Sequence, residues 1–165
     1  GAQIIISHVN EGLRLAEKAN LPNIIKDFIK THHGTGLAKF FYVKYQNEHP
    51  NEIVNKEDFQ YPGPNPFTRE QAILMMSDGV EAASRSLGEY TEESISNLVN
   101  KMIDGEVADG MFTECPITFR DISQAKQVLI DRLKSIYHTR VQYPELKKEV
   151  KPEAQAAEQE ELVEN

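Results

Sequence analysis

Apolar residues recur every three or four positions along most of this chain, the spacing that gathers them on one face of an α-helix. Between residues 3 and 20 the face is Ile4, Ile5, Val9, Leu13 and Ala16, and Leu21-Pro22 breaks it. A proline suits a first helical turn, so residues 22–32 form a second helix with Ile24, Ile25, Phe28 and Ile29 inward, and Gly34 follows as its C-cap. A third helix is expected over residues 36–49, rich in aromatics (Leu37, Phe40, Phe41, Val43, Tyr45) and ended by Pro50. Residues 51–67 read as a loop, stiffened by Pro62, Pro64 and Pro66, and a loop of that length in a compact domain tends to serve function.

Thr68 with Gln71 has the form of a capping box and opens a helix to about Leu87, with Ile73, Leu74, Met76, Val80, Ala83 and Leu87 as its apolar face. Thr91 caps a further helix to about Asp104, where Gly105 stops it. Thr118 with Asp121 repeats the capping pattern ahead of Ile122, Ala125, Val128, Leu129, Leu133, Ile136 and Tyr137, and His138 closes that helix as a C-terminal capping histidine. The expected fold class is all-α.

Composition narrows the picture. A chain of 165 residues has the size of one domain. No apolar run approaches the roughly 18 residues of a membrane span. A formal charge of −8 argues against nucleic acid as a partner, because phosphate backbones call for a basic surface. Residues 145–165 carry seven acids and three bases, a net −4, and their Glu-, Ala- and Gln-rich composition predicts a disordered acidic tail. The expected division is a domain over residues 1–144 and a tail over 145–165. Cys115 stands alone, which excludes an internal disulfide, fits a reducing compartment, and reads as a small buried hydrophobe. The chain enters a helical pattern at once, without initiator methionine or signal peptide, and reads as a cut made inside a larger protein.

The chemistry centres on His32-His33, with His8 upstream and Asp78 downstream. His8 belongs to a buried stripe or its edge, as a core histidine bonded to a carbonyl or as a metal ligand. The doublet sits at a helix end, where an imidazolium gains from the helix dipole. Two successive histidines also point about 100° apart on a helix and so serve neighbouring ions rather than chelate one. Asp78 lies beside an apolar face, paired, solvated or bound to metal.

Residues 4–8, His32-His33-Gly34-Thr35, Phe59-Gln60-Tyr61-Pro62-Gly63-Pro64, the run from Asp78 to Leu87 and the run from Tyr137 to Pro144 resemble the C-terminal half of the HD hydrolase domain of seven-transmembrane HD receptors. These are membrane-anchored cyclic di-AMP phosphodiesterases of the PgpH type. The resemblance covers residues 3–144 and implies a partial HD-domain helical bundle, with His8, His32, His33 and Asp78 as metal ligands. It also implies that a first histidine and the His-Asp dipeptide lie upstream, in an N-terminal half of the domain missing here. Coordination arithmetic gives the same deficit, since four side chains are too few for two ions of about six ligands each. Two departures stand out: Gln60 where the family often has arginine, and Met111 and Thr113 within a segment that more often reads Gly-Gln-Phe-Asp-Glu-Cys.

The implied activity is hydrolysis of cyclic di-AMP to linear pApA on the cytoplasmic face of the membrane. Two divalent transition ions, iron or manganese, about 3.5 to 4 Å apart would activate water and neutralise phosphate charge. Arg85, by its fork for phosphate, and Tyr61, by stacking on adenine, are the expected substrate contacts, each against a plain reading as a surface ion pair and a loop anchor. The alternatives are another cyclic dinucleotide or nucleotide as substrate, cyclic di-GMP first among them, and a non-catalytic helical interaction module.

Overall fold

The computed structural model describes residues 1–138, and every described regular element is helical: α1 (Ala2–Lys18), α2 (Asn23–Thr31), α3 (Lys39–Glu48), the 3-10 turn η1 (Lys56–Phe59), α4 (Arg69–Ser84), α5 (Glu92–Ala108) and α6 (Phe119–His138). The expected tail at 145–165 and the domain boundary at 144 lie outside the described residues, as does most of the motif that begins at Tyr137. No helix among the described residues is long and apolar enough to cross a membrane.

The principal core lies where α4, α5 and α6 meet. Ala72, Met75, Met76 and Val80 of α4 pack with Ile95, Val99 and Ile103 of α5, Ile122 and Leu133 of α6, and Met111 and Phe112 of the connection. The capping residues read from the sequence start these helices. Thr68 accepts from the Gln71 amide while Gln71 accepts from the Thr68 amide, and Thr118 and Asp121 exchange the equivalent pair. Thr91 makes its box with Ser94. Each box satisfies amide donors that the first turn leaves without helical partners.

α1 and α2 form a second layer that meets the core through α2 and α4. Asn20, in the left-handed region, ends α1, and the Leu21 amide reaches back to the Ala16 carbonyl, a Schellman closure.

Several expected faces differ. In α1 the buried residues are Ile6, Val9 and Ala16, whereas Ile4 is 76% exposed. In α2 only Thr31 is buried and Ile24 is 65% exposed; α3 buries nothing, with Phe40 71% exposed. In α4, Ile73 and Leu74 face outward because α5 and α6 cover the side bearing Ala72, Met75 and Met76. Gly105 does not stop α5, which runs through it to Ala108. Cys115 is half-buried rather than buried, and its thiol donates to the Thr68 carbonyl.

Candidate metal centre

Local folding brings the histidines together. His8 sits two residues beyond the buried Ile6 on α1. His32 is the C-cap of α2, and Gly34, left-handed at φ 50°, turns the chain away just after the doublet. The segment that follows is clamped from outside: residues 34–38 pair with 59–63 through the Leu37–Gln60 bridge. The Tyr61 amide bonds the Gly36 carbonyl and the Gly63 amide bonds the Gly34 carbonyl, each at 2.9 Å. Asn65 Oδ1 accepts from the Thr35 amide (2.8 Å) and hydroxyl (3.0 Å). The proline-rich stretch is therefore a wall bonded to the residues just after the doublet.

The ring nitrogens of His8, His32 and His33 lie within 4.8 Å of one another. His8 Nδ1 donates to the Ile5 carbonyl and His32 Nδ1 to the Ile29 carbonyl. A carbonyl only accepts, so in the neutral rings each Nε2 carries a bare lone pair. Those two Nε2 atoms face each other at 3.1 Å. Two lone pairs at that distance repel unless a proton or a cation lies between them, and two metal–nitrogen bonds of about 2.1 Å span the gap.

Asp78, from the middle of α4, places Oδ2 3.7 Å from His33 Nδ1. That is too long for a hydrogen bond. Nor is it an ion pair at neutral pH, because burial, then the neighbouring His32 and His8, push His33 down to about 4. His33 therefore offers a neutral nitrogen beside a carboxylate. The three imidazoles are a donor set suited to a divalent transition ion, and the Asp78 carboxylate stands beside one of them, His33.

No family model matches the chain. It is 40% identical over 148 residues to the cyclic-di-AMP phosphodiesterase PgpH of Bacillus subtilis (strain 168), covering 90% of this chain and 20% of that protein. It is 42% identical over 142 residues to the PgpH of Listeria monocytogenes serotype 1/2a (strain 10403S), covering 86% and 20%. The crystal structure of the L. monocytogenes PgpH HD domain in complex with cyclic-di-AMP superposes with a TM-score of 0.78 at 40% identity, covering 82% of this chain and 63% of that one. The chain is homologous to the HD domain of PgpH.

The all-α expectation stands, and the helices follow the HD-domain fold of PgpH. This chain spans 20% of the length of the two PgpH proteins it matches. Metal dependence is the rule among HD-domain phosphodiesterases, and the three-histidine cluster is a possible site for such an ion.

The two expected substrate residues are placed differently from each other. The Tyr61 ring stacks on His33 with centroids 4.3 Å apart, and burial followed by the Asp78 charge raises its phenol. Arg85 lies two turns beyond Asp78, and its guanidinium makes three hydrogen bonds to the Glu81 carboxylate.

Sequence reading missed Glu106. Its Oε1 lies 3.0 Å from where a Cβ on Gly79 would stand, so it rests against α4 beside Asp78. Its Oε2 is buried without a hydrogen-bond partner. Burial and the Asp78 charge raise it to about 7. Placing a helix stop at Gly105 hid it, because a residue beyond a helix end has no defined face.

Proposed function

We propose that this chain is the C-terminal part of an HD-type phosphodiesterase domain that hydrolyses cyclic di-AMP to linear pApA. His8, His32, His33 and Asp78 contribute ligands to a centre of two divalent transition ions, iron or manganese. The observation that carries this reading is the 3.1 Å approach of the His8 and His32 Nε2 lone pairs, each fixed by a carbonyl bond on the opposite nitrogen. This geometry supports a cation site without reference to any relative. Such ions, when bound, activate water and offset phosphate charge. The chain's own residues fix the imidazole tautomers, hold Asp78 beside His33, and set Tyr61 as an aromatic wall on which a base can stack.

The upstream part of the domain is the proposed partner. Ile4 and Ile24 expose apolar surface on the helices that carry His8 and His32. The centre also needs further ligands from outside the chain. The intact protein is proposed to be anchored in the membrane with this domain on the cytoplasmic side. The deciding experiment measures bound metal and cyclic di-AMP turnover for this chain and for a form extended upstream to a complete HD domain. The extended form should bind metal and release pApA, and the chain alone should do neither well. Preference for cyclic di-GMP would overturn the substrate, and full activity of the chain alone would overturn its incompleteness.

A further inference from the structure

His33 differs from the other two imidazoles in what holds its ring. His8 and His32 are each tied through Nδ1 to a carbonyl of their own helix, the kind of second contact that fixes the orientation of a ligating histidine. His33 has no such tie among the described residues, since Asp78 Oδ2 stands 3.7 Å from its Nδ1, out of hydrogen-bond range. The torsion that turns an imidazole about its stem has broad preferences. A ring without a hydrogen bond can therefore swing and carry its donor nitrogen out of a cluster.

Three rings touch His33. His32 lies 4.1 Å away at 41°, and His8 lies 5.0 Å away edge on; both are themselves proposed ligands. Tyr61 is the third and is not. Its ring is nearly parallel to the imidazole, with 24° between the planes and 4.3 Å between the centroids. Aromatic rings attract in offset stacks at this separation, and a turn of the imidazole out of its plane would break the contact. Tyr61 can hold a neighbour because it is itself held. Its amide donates to the Gly36 carbonyl, the Gly63 amide closes on the Gly34 carbonyl next to the doublet, and Pro62 confines the Tyr61 backbone to extended conformations. The stack uses the face of the ring and not the hydroxyl.

We propose that Tyr61 is the positioning residue of His33: its ring, stacked on the imidazole, stands in for the hydrogen bond that His33 lacks and keeps the His33 donor nitrogen among those of His8 and His32. This rests on the metal centre proposed above. One face of Tyr61 is then spent on His33, which leaves the other for an adenine. A tyrosine that served the base alone would alter substrate binding and leave the affinity for metal as it was.

The test is a titration with cobalt(II) alone, read by visible absorption, of the metal-free protein extended upstream to a complete HD domain. It compares the parent with Tyr61→Phe, Tyr61→Leu, Tyr61→Met and, as a control, Tyr45→Leu. Tyr45 stacks on His49 with centroids 4.1 Å apart and planes at 19°, the same pair of rings away from the cluster. Tyr61→Leu and Tyr61→Met should weaken cobalt binding by about tenfold or more and shift the ligand-field bands, the loss expected when a ligating histidine is no longer held from its second side. Methionine is the second truncation because its unbranched chain fills gaps that leucine does not fit. Tyr61→Phe, which keeps the ring, and Tyr45→Leu should each bind cobalt within about threefold of the parent and with its spectrum. Tyr61→Leu and Tyr61→Met proteins that bind cobalt like the parent overturn the proposal. So does a Tyr61→Phe protein as impaired as they are, because the hydroxyl would then be the working group, and so does an equal loss in Tyr45→Leu, which would mark a general loss of stability. A parent that binds no cobalt sinks the proposed centre and this inference with it, whereas a parent that binds cobalt regardless of residue 61 sinks this inference alone.

Discussion

His8 and His32 meet nitrogen to nitrogen, 3.1 Å apart, from two different helices, and neither ring is free to turn away, because each is tied to a carbonyl one turn earlier in its own helix. With no metal and no proton between the two nitrogens, this contact is a cost of the fold rather than a support for it. Replacing His8 by alanine removes the repulsion at an exposed position and should leave the melting temperature of the chelated protein unchanged or slightly higher. In the form extended upstream to a complete domain, the same substitution should abolish the stabilisation that added divalent metal gives, which is about 2.7 kcal/mol at a hundredfold excess over Kd. Thermal melts with and without metal check both halves. A His8→Ala protein still stabilised by metal would show that the cation sits elsewhere.

Two half-buried groups of opposite kind govern the pH dependence of the metal-free protein. Glu106 is raised to about 7, so the folded state holds its proton more tightly than the unfolded chain does. That contribution is fully present below about 4.5 and is lost as pH rises through about 7. His33 is lowered to about 4, so its contribution is present above about 6.5 and is lost as pH falls towards 4. Between about 4.5 and 6.5 the two slopes oppose each other, and the parent should be nearly flat. Glu106→Gln should uncover stability that climbs with pH across this window, and His33→Gln stability that falls. Urea titrations at several pH values read these slopes, and parallel profiles for both variants would exclude this assignment.

The Thr68–Gln71 box should be worth more than an ordinary cap. Gln71 is buried, and its Oε1 accepts from the amides of both Phe67 (2.9 Å) and Thr68 (3.3 Å). Thr68→Ala should cost about 1 kcal/mol. Gln71→Leu strips two amides of their acceptor in a half-buried setting and should cost about 2 to 4 kcal/mol. Chemical denaturation with unchanged m-values is the check.

The capping boxes were legible in the sequence because they are local: a hydroxyl or amide three residues away has one reachable partner, whatever the rest of the chain does. Which face of a helix is buried is not local. Ile73 and Leu74 fit the apolar spacing as well as Met75 and Met76 do, but α5 packs on the side where the small Ala72 admits it. In α1 and α3 the apolar residues outnumber those this chain covers, so the pattern showed more buried surface than α2, α4 and η1 provide. Gly105 misled for a related reason: a glycine ends a helix only when the chain turns there, and α5 runs straight through. The three histidines and Asp78 were visible as residue types and through their family resemblance. Their distances were not, since these depend on α2 meeting α4 and on the 34–38 segment pairing with 59–63. Glu106 carries no local mark at all, and only tertiary contact brings it against α4 beside Asp78.

Gly34 is the joint on which the position of the doublet depends, and it is the place to test that fold and site are one structure. Its φ of 50° lies in the left-handed region, and a Cβ there would collide with Asn65 Oδ1 and come within 3.0 Å of Met75 Cε. Gly34→Ala therefore combines about 1 to 2 kcal/mol of backbone strain with displacement of the acceptor that holds the Thr35 amide and hydroxyl. Asn65→Ala loses the same two hydrogen bonds without the strain. If the doublet is held by the clamp, both variants should weaken metal binding, with Gly34→Ala the more damaging and the less stable by at least about 1 kcal/mol. If α2 alone holds it, Asn65→Ala should lose stability yet bind metal like the parent. Metal titration alongside denaturation distinguishes the two cases, because the second would separate the wall of residues 59–63 from the centre it borders.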